Sequence, residues 1–384
     1  MEWKEVTLEE IGTIVGGATP STKRTSFYDG DIPWLTPKDL SANSNKYIFR
    51  GERNITAEGF NSCSCKMLPK GSVLFSSRAP IGYVAIAASE MCTNQGFKSV
   101  IPNEDTDSEF LYYLLKYNKD NIVSQGSGTT FAEVSGKTMK GIEVVVPKEV
   151  DDQRRIASIL SSLDRKIELN NKMNADLEEM AQAIFKNWFV DFEPFKDGKF
   201  VDSELGMIPE GWKVGLLGEL CNFKRGKNLL TKNAIDEGVP VVAGGLEPSC
   251  YHNEANTGAP VITVSGSGAN AGFMRMYHVP VWASDCSFID ISCENFYFVY
   301  CFLNVNSKLL KHAQTGAVQP HVKPSDIHDF ELVIPNKESI FDFQNKVKPF
   351  FDRIATITKE SSRLSLLGDT LLPRLMSGEL EVPE

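Results

Sequence analysis

The sequence predicts an α+β protein in which two tandem, strand-rich mixed α/β domains are joined by a long antiparallel two-helix coiled coil with pseudo-two-fold symmetry. Two observations predict it. Residues 1–150 and 205–335 repeat one sequence pattern, and each repeat is followed by a long heptad pattern of apolar residues. A chain of 384 residues also has enough material for two or three domains that each bury a core.

The internal repeat predicts that the two domains share one fold. Residues 110–118 align with 298–306, and the same offset places 141–147 on 329–335. The looser matches upstream pair residues 32–35 with 239–242, 73–77 with 261–265, and 93–97 with 284–288. Within each repeat, short runs rich in β-branched residues alternate with Gly, Ser, Asn and Thr loops, and one helix is predicted near residues 108–120.

The heptad patterns predict the two long helices. The first covers residues 152–189 without Pro or Gly, and at 1.5 Å per residue it would be on the order of 55 Å long. Asn170 and Asn174 lie at the centre of its apolar seam, where polar residues fix coiled-coil register at some cost in stability. A second, weaker pattern over 343–376 is predicted to be its antiparallel partner.

Composition predicts an ordinary cytoplasmic protein. The net charge of −10 and the absence of any basic segment argue against a generally basic nucleic-acid binder, so DNA contacts must come from local clusters. Eight cysteines without paired spacing are most simply free thiols in a reducing compartment. The sequence has no apolar run long enough for a membrane span and no signal-peptide pattern at its start.

Catalytic motifs are missing from the sequence. Ser135-Gly-Lys-Thr138 resembles the end of a phosphate-binding loop, but Phe131 occupies the position of the required first glycine. Ser265-Gly-Ser-Gly268 lacks the glycine that a nucleophile elbow needs two residues before its serine. All five histidines lie in the second repeat, so a duplicated catalytic site cannot depend on them. We therefore expect a chain that is not an enzyme and binds neither a metal nor a cofactor.

Polar loop residues are the remaining functional candidates. Arg and Lys can bond guanine or phosphate, Asn and Gln can form paired bonds to adenine, and Ser and Thr can contact either. In the first repeat the candidate DNA-binding residues are Thr19, Ser21, Lys23, Arg24, Trp34, Thr36, Lys38, Ser77, Arg78, Asn94, Gln95, Thr129 and Thr130. In the second they are Lys224, Arg225, Lys227, Gly244, Ser265, Ser267, Asn270, Asp285, Ser287, Gln319 and His321. Related loops with different side chains favour two readers with different sequence preferences.

The chain resembles the specificity subunit of type I restriction-modification systems over essentially its whole length. The repeat carries the resemblance together with a series of motifs whose order along the chain is more specific than any one of them. These are Gly16-Gly-Ala-Thr-Pro-Ser21, Ile32-Pro-Trp-Leu35, Thr93-Asn-Gln95, Asp152-Gln-Arg-Arg-Ile-Ala-Ser-Ile-Leu160, residues 183–194, Ile208-Pro-Glu-Gly-Trp212 and residues 371–379.

The resemblance implies a domain plan. Residues 1–150 and 210–336 would be target recognition domains that each read one half of a bipartite double-stranded DNA site. Residues 151–190 would form the first coiled-coil helix, 191–209 a linker, and 337–384 the second helix with a C-terminal tail. Two methylation subunits, which hold S-adenosylmethionine, would dock on this scaffold, and restriction subunits could join to cleave unmodified DNA.

Particular roles follow from this resemblance. Arg78, Asn94 and Gln95 are expected to contact bases of the first half-site, with Lys23, Arg24 and Lys38 on phosphates. Ser267, Asn270, Asp285, Gln319 and His321 would serve the second half, with Lys224, Arg225 and Lys227 on the backbone. The aromatic end of the first helix is expected to pack in a partner interface through Phe185, Trp188, Phe189 and Phe192.

Two other functions compete with DNA recognition. One is a coiled-coil adaptor whose two heads bind proteins, which predicts that no methylation pattern depends on the chain. The other is an enzyme that acts alone on carbohydrate or nucleic acid. The sequence contains no paired acid and base recurring in both repeats to support that enzyme.

Overall fold

The computed structural model describes residues 1–43, 45–78, 80–127, 132–314 and 320–382 of the chain. Two compact units are present. Unit 1 comprises Met1–Asn171 and Lys359–Glu384, and unit 2 comprises Lys172–Thr358. Each unit holds one mixed α/β body and part of two long helices, so the predicted pair of mixed domains is confirmed.

Unit 1 begins with short strands that form three small sheets. Its strands are β1 Trp3–Thr7, β2 Gly12–Gly16, β3 Tyr28–Ile32, β4 Trp34–Leu35, β5 Tyr47–Ile48, β6 Val73–Ser77, β7 Ile81–Ala87, β8 Cys92–Thr93, β9 Lys98–Pro102 and β10 Glu143–Pro147. The main sheet has the order β2-β9-β6-β7-β5, while β1 pairs with β10 and β4 pairs with β8.

Helices pack around these sheets, and the buried apolar residues of the unit form three clusters. They are α1 Leu8–Ile11, α2 Pro37–Ala42, α3 Ala57–Asn61, α4 Ser108–Tyr117, α5 Lys119–Ser124, α6 Gly136–Lys140 and the long α7 Val150–Phe189. The helix predicted near residues 108–120 corresponds to α4. Asp107 caps it, because its carboxylate accepts the N–H groups of Glu109 and Phe110 at 3.0 and 2.9 Å.

Unit 2 repeats this plan. Its strands are β11 Phe200–Val201, β12 Ile208–Pro209, β13 Lys213–Leu216, β14 Lys224–Arg225, β15 Val239–Val242, β16 Cys250–His252, β17 Val261–Ser265, β18 Met274–Tyr277, β19 Trp282–Ala283, β20 Cys286–Asp290 and β21 Glu331–Ile334. Its further helices are α8 Phe296–Val305, α9 Ser307–His312, α10 Pro324–His328 and the long α11 Lys337–Met376.

Strand order confirms the internal repeat. The order β14-β20-β17-β18 in unit 2 matches β2-β9-β6-β7 in unit 1. The antiparallel pair β13–β21 matches β1–β10, and the parallel pair β15–β19 matches β4–β8. The two bodies therefore present equivalent loops at equivalent strand ends.

Two parts of the sequence alignment are wrong. Thr93 pairs with Leu35 as Ala283 pairs with Val242, so Thr93 corresponds to Ala283 rather than Ser284. Likewise Phe97 pairs with Ser76 as Cys286 pairs with Ser265, so residues 73–76 correspond to 262–265, one residue away from the predicted match of 73–77 with 261–265. The connection between these strands is one residue shorter in unit 2, and the coincidence of Phe97 with Phe288 hid the gap in the sequence.

Both predicted long helices are present, with longer N-terminal ends. The second begins at Lys337, where the domain plan starts it and six residues before the heptad pattern, because the Asn336 side chain accepts the Ser339 N–H at 2.8 Å and caps it. Each helix contains 40 residues. No helix among the described residues is long and apolar enough to cross a membrane.

Within each unit, residues later in α7 contact residues earlier in α11, so the two helix segments are antiparallel there. In unit 1, Leu163 lies beside Gly368, and the Asn170 Nδ2 donates to Glu360 Oε2 and Ser361 Oγ at 3.0 and 3.1 Å. In unit 2, the Asn174 Nδ2 donates to Thr358 Oγ1 at 3.2 Å. The central asparagines thus face the other helix, as the heptad pattern predicts.

The aromatic end of α7 packs in the core of unit 2 and not, as expected, in a partner interface. Phe185 and Phe189 are 2% and 7% exposed and lie in the core of unit 2. Both rings contact Phe298 and Phe343, with centroids 5.0 to 5.7 Å apart. Trp188 and Phe192 pack against the same core and are half-buried. This end of the helix is apolar because it completes the core of unit 2.

Candidate nucleic-acid interface

Three loops of unit 1 meet at a tight turn around Gly17. The Ala18 N–H donates to Thr93 O at 3.0 Å, and the Asn94 N–H donates to Leu35 O at 2.8 Å. A Cβ on Gly17 would clash with the Thr93 and Asn94 carbonyls, so only glycine fits here. The backbone therefore brings together the loops that follow β2, β4 and β8.

Two further segments join this loop cluster beside Gly96. The Ser77 N–H donates to Gly96 O at 2.7 Å, and the Val134 N–H donates to Ser77 O at 3.0 Å. The Gly96 N–H donates to the Asn94 side-chain Oδ1 at 2.8 Å, which orients that amide. Arg78 forms a β-bridge with Glu133 one residue further along. The predicted base-contact residues Arg78, Asn94 and Gln95 therefore lie in one cluster.

Charge in the unit 1 cluster is balanced by Glu133. Arg78 Nη1 lies 3.6 Å from Glu133 Oε2, and Lys98 Nζ lies 3.3 Å from Glu133 Oε1. Glu133 and Lys98 are not among the DNA-binding residues predicted from the sequence. The signal for Glu133 was present in the repeat, because the match of Val134 with Val322 places Glu133 opposite His321.

The positively charged candidates of unit 1, Lys23, Arg24 and Lys38, are exposed. Lys23 and Arg24 are exposed in the loop after β2, and the Arg24 guanidinium lies 5.4 Å from the centroid of the Phe27 ring. Lys38 is paired with Glu52 at 2.7 Å, and both side chains are more than 70% exposed. Such an exposed pair contributes little energy, so Lys38 can exchange Glu52 for a phosphate.

Two residues of unit 1 that were predicted to contact DNA are buried, so these two predictions are wrong. Trp34 is 6% exposed and donates Nε1–H to Ala18 O at 3.0 Å. Ser77 is fully buried, and its hydroxyl donates to Gly96 O at 3.2 Å. Both residues hold loops in place from beneath, where a base or phosphate cannot reach their side chains.

The other unit 1 candidates lie in the same loops. The Thr19 hydroxyl donates to Gln95 Oε1, and the Thr36 hydroxyl donates to Asp39 Oδ2 at 2.7 Å at the start of α2. Ser21 is exposed. Thr129 and Thr130 lie outside the described residues.

A buried group of thiols underlies the Gly17 turn. The Cys65 Sγ lies 3.5 Å from both Ala18 O and Thr93 O. A hydrogen bond from Cys92 lowers the pKa of Cys65. The same hydrogen bond, together with burial, raises the pKa of Cys92. Among the residues that the structure describes, no group of His, Cys, Asp and Glu is arranged to hold a metal ion.

Unit 2 builds an equivalent loop cluster with the same backbone bonds. The Lys227 N–H donates to Ala283 O at 2.9 Å, and the Ser284 N–H donates to Val242 O at 2.7 Å. Gly226 takes the place of Gly17, since a Cβ there would clash with the Ala283 and Ser284 carbonyls.

The strand-end bonds of unit 2 also match those of unit 1. The Gly266 N–H donates to Asp285 O and the Val322 N–H donates to Gly266 O, both at 3.1 Å. Ser267 forms a β-bridge with His321, as Arg78 does with Glu133. Ser267 and His321 therefore stand in the places of Arg78 and Glu133.

Asp285 organises the polar side chains of the unit 2 cluster. It forms an ion pair with Arg225 and accepts a hydrogen bond from the Ser267 hydroxyl. The Asn270 Nδ2 donates to Gly244 O at 3.3 Å. Arg225, predicted to contact the DNA backbone, is therefore oriented by Asp285, although about half of its side chain stays exposed.

Two serines of unit 2, Ser265 and Ser287, are buried as Trp34 and Ser77 are in unit 1, so their predicted DNA contacts are also wrong. Ser265 is 3% exposed and donates to Gly244 O at 3.3 Å, and Ser287 is fully buried. Lys224 and Lys227 are exposed, whereas Gly244, Asn270 and His321 are half-buried. Gln319 lies outside the described residues.

Two copies of one loop-bearing α/β body, each followed by a 40-residue helix, define a tandem-repeat protein with two related recognition surfaces. The family model for the type I restriction modification DNA specificity domain matches residues 1–179 and 209–363. The chain belongs to this family. The predicted function, DNA sequence specificity within a type I restriction-modification system, is confirmed.

Two relatives and one solved structure illustrate the likeness. The chain is 38% identical to the type I restriction enzyme MjaIX specificity subunit of Methanocaldococcus jannaschii, over 100% of this chain and 94% of the relative. It is 24% identical to the HindI specificity subunit of Haemophilus influenzae, over 82% and 88% of the two chains. The crystal structure of the S subunit from M. genitalium matches with a TM-score of 0.58 at 19% identity, covering 98% and 96%, which shows a shared fold.

Proposed function

We propose that this chain is the non-catalytic subunit that reads both halves of a bipartite DNA target for a methylation and restriction complex. Residues 1–150 and 210–336 act as target recognition domains, with residues 191–209 as a linker. The helices within 151–190 and 337–384 pair along their length as an antiparallel coiled coil, which relates the domains by a pseudo-two-fold and sets the distance between half-sites.

The duplicated loop cluster is the observation that carries this proposal. Matching backbone hydrogen bonds hold the loops in both units, yet the side chains at equivalent places differ. Arg78 with Glu133 in unit 1 is replaced by Ser267 with His321 in unit 2. A fixed frame with variable side chains is what two readers of different base sequences require.

Roles within the clusters follow from side-chain chemistry and exposure. Arg78, Asn94 and Gln95 contact bases in the first half-site, while Ser267, Asn270, Asp285 and His321 do so in the second. Exposed cations contact the phosphates; they are Lys23, Arg24, Lys38, Lys224 and Lys227. These local clusters act within a chain of net charge −10, so partner subunits supply much of the remaining phosphate contact.

Partners provide the chemistry. Two methylation subunits that carry S-adenosylmethionine dock on this chain, and restriction subunits join them for cleavage. The complex works in the cytoplasm, where its DNA substrate is found.

Mapping adenine methylation tests the proposal. The full chain is co-expressed with candidate methylation subunits, and methylated sites are compared with those of cells lacking the chain. The expected result is a bipartite methylated motif that disappears without the chain. Asn94→Ala should abolish recognition of one half only, while Asn171→Ala, an exposed change on α7, should leave the motif intact. Identical methylation with and without the chain would support the protein-binding adaptor instead.

A further inference from the structure

Gln153 ties the body of unit 1 to the start of α7. It is 2% exposed, and its Oε1 accepts the Asp107 N–H at 3.0 Å. Its Nε2 donates to Asp105 O at 3.1 Å and to Pro147 O at 3.3 Å. One side chain on the long helix thus bonds the turn before α4 and the end of β10, so it fixes three elements of the unit together.

Gln344 makes the same connection in unit 2. Its Oε1 accepts the Tyr297 N–H at 3.1 Å, and its Nε2 donates to Glu294 O at 2.9 Å. Gln344 lies near the start of α11, and its partners flank the start of α8. Because α8 corresponds to α4, both glutamines bond backbone groups at the start of equivalent helices. The bonded positions differ by one or two residues, and among the described residues only Gln153 also bonds the end of the preceding strand, at Pro147 O.

The remaining contacts at the two joints differ in chemistry. In unit 1, the Lys46 Nζ lies 2.7 Å from Ser161 Oγ and 3.0 Å from Glu109 Oε1, in a buried polar network. In unit 2, Tyr297 stacks on Phe351 with ring centroids 5.1 Å apart. Packing between body and helix has therefore diverged, while in both units a glutamine of the long helix bonds the backbone at the start of α4 or α8. This shared attachment points to a geometric role.

A glutamine amide is suited to fixing an angle. It donates and accepts in one plane, and its partners here are backbone groups that cannot turn away without disturbing an element. Leaving buried backbone groups unpaired is unfavourable, so the joint resists rotation. In unit 1 the helix continues from Gln153 to residue 171, roughly 27 Å at 1.5 Å per residue. A tilt of about 10° at the joint would move that point by roughly 5 Å, more than the rise of about 3.4 Å per base pair.

We propose that Gln153 and Gln344 are positioning residues that hold each recognition body at a fixed angle to its long helix, and thereby restrict the complex to one spacer length between half-sites. This inference rests on the proposed function, because it assumes that the helices connect two DNA-reading bodies. It assigns to the glutamines no contact with DNA. They act on the distance between the half-sites and not on their sequences.

Methionine variants test the proposal because methionine has a similar length and no amide. The complex of the full chain with its methylation subunits is given duplexes that carry both half-sites with spacers of the native length, one base pair shorter and one longer. Methyl transfer from labelled S-adenosylmethionine is measured on each. For Gln153→Met and for Gln344→Met, the preference for the native spacer should fall by a factor of about five to thirty, as expected for a loss of one to two kcal/mol. Preference for the half-site sequences should not change.

Val144→Ala is the matched control, since Val144 is buried in the same core and takes part in none of the Gln153 hydrogen bonds. It should lower thermal stability and keep the native spacer preference. Gln344 is half-buried, so its variant decides the outcome if Gln153→Met does not fold. An unchanged spacer preference in folded methionine variants would overturn the positioning role. If the unmodified chain directs no bipartite methylation at all, the proposed function fails instead.

Discussion

Arg78 of unit 1 and Ser267 of unit 2 occupy the same place in the repeated fold. Each follows a residue whose N–H bonds the carbonyl of a neighbouring loop, Gly96 in one unit and Asp285 in the other. Each then forms a β-bridge, Arg78 with Glu133 and Ser267 with His321. The same backbone position thus presents a guanidinium in one body and a hydroxyl in the other, as the proposed recognition of two different half-sites requires.

Arg78→Ala should change the first half-site only. A good side-chain pair to a base edge is worth about 1–3 kcal/mol, so discrimination at one base pair should fall by a factor of roughly 5 to 150. Methylation of substrates randomised at each half-site position measures this. Lys140→Ala is the control, because Lys140 is half-exposed and paired with Glu9 in the same unit. Equal loss at both half-sites would contradict the assignment.

The long helices and the repeat could be predicted from the sequence because both depend on regular spacing. A heptad pattern over some 40 residues has few alternatives to a long helix, and Asn170 and Asn174 stood out as polar residues in an apolar seam. The shared plan of the two units followed from the repeat, whereas their strand order is known only from the structure. Periodicity identifies these features without knowledge of any tertiary contact.

Burial inside the loop clusters could not be predicted. Trp34, Ser77 and Ser265 carry groups that suit DNA, yet each bonds a carbonyl of its own unit. Loop residues have no period that separates inward from outward side chains, so composition alone could not exclude them. The partner-interface prediction for Phe185 was wrong for a related reason. An apolar helix end has the same sequence pattern whether a partner or the chain itself covers it.

Gly17→Ala should abolish recognition of the first half-site, whereas Gly16→Ala should be tolerated. A Cβ on Gly17 would clash with two carbonyls, while the nearest atom to a Cβ on Gly16 is Lys98 Cδ at 4.0 Å. The backbone of the Gly17 turn must therefore move and displace the loops that meet there. Methylation mapping and thermal unfolding of both variants check this. Normal half-site recognition by Gly17→Ala would show that the turn is not needed.

Phe185→Ala should destabilise unit 2 by about 3–5 kcal/mol, because it removes a buried ring that contacts Phe298 and Phe343. Phe341→Ala serves as the comparison. Phe341 is 64% exposed, and its loss should change stability by no more than about 0.5 kcal/mol. Denaturant unfolding followed by tryptophan fluorescence measures both. A Phe185→Ala chain of normal stability that fails only in assembly would restore the partner-interface interpretation.

Asn170→Leu should raise the free energy of unfolding by about 1–3 kcal/mol. Asn170 is fully buried, and its Oδ1 has no hydrogen-bond partner among the described residues, so removing the amide relieves an unsatisfied group. Asn171→Leu changes the exposed neighbour and should have little effect. Urea unfolding midpoints compare the two. Destabilisation by Asn170→Leu would show instead that the bonds to Glu360 and Ser361 outweigh the unpaired oxygen.

Glu109→Gln should weaken unit 1 at neutral pH and less so in acid. Burial raises the pKa of Glu109, but hydrogen bonds from Ser161, Tyr47 and Lys46, together with the Lys46 charge, outweigh burial and hold the pKa below its ordinary value of 4.5. A carboxyl group with a lowered pKa in the folded state contributes stability that is present above its unfolded value and is lost as pH falls through the folded value.

The gap in unfolding free energy between the unmodified chain and Glu109→Gln should therefore be largest near pH 7. It should shrink as the pH falls below 4.5, because the protonated carboxyl group then resembles the neutral amide. Urea unfolding at a series of pH values measures this gap. Glu104→Gln is the control for the general effect of removing one acid, because Glu104 is exposed and lies four residues before α4 begins. A gap that stays constant or widens in acid would mean that the carboxylate of Glu109 does not stabilise the joint between the body of unit 1 and α7.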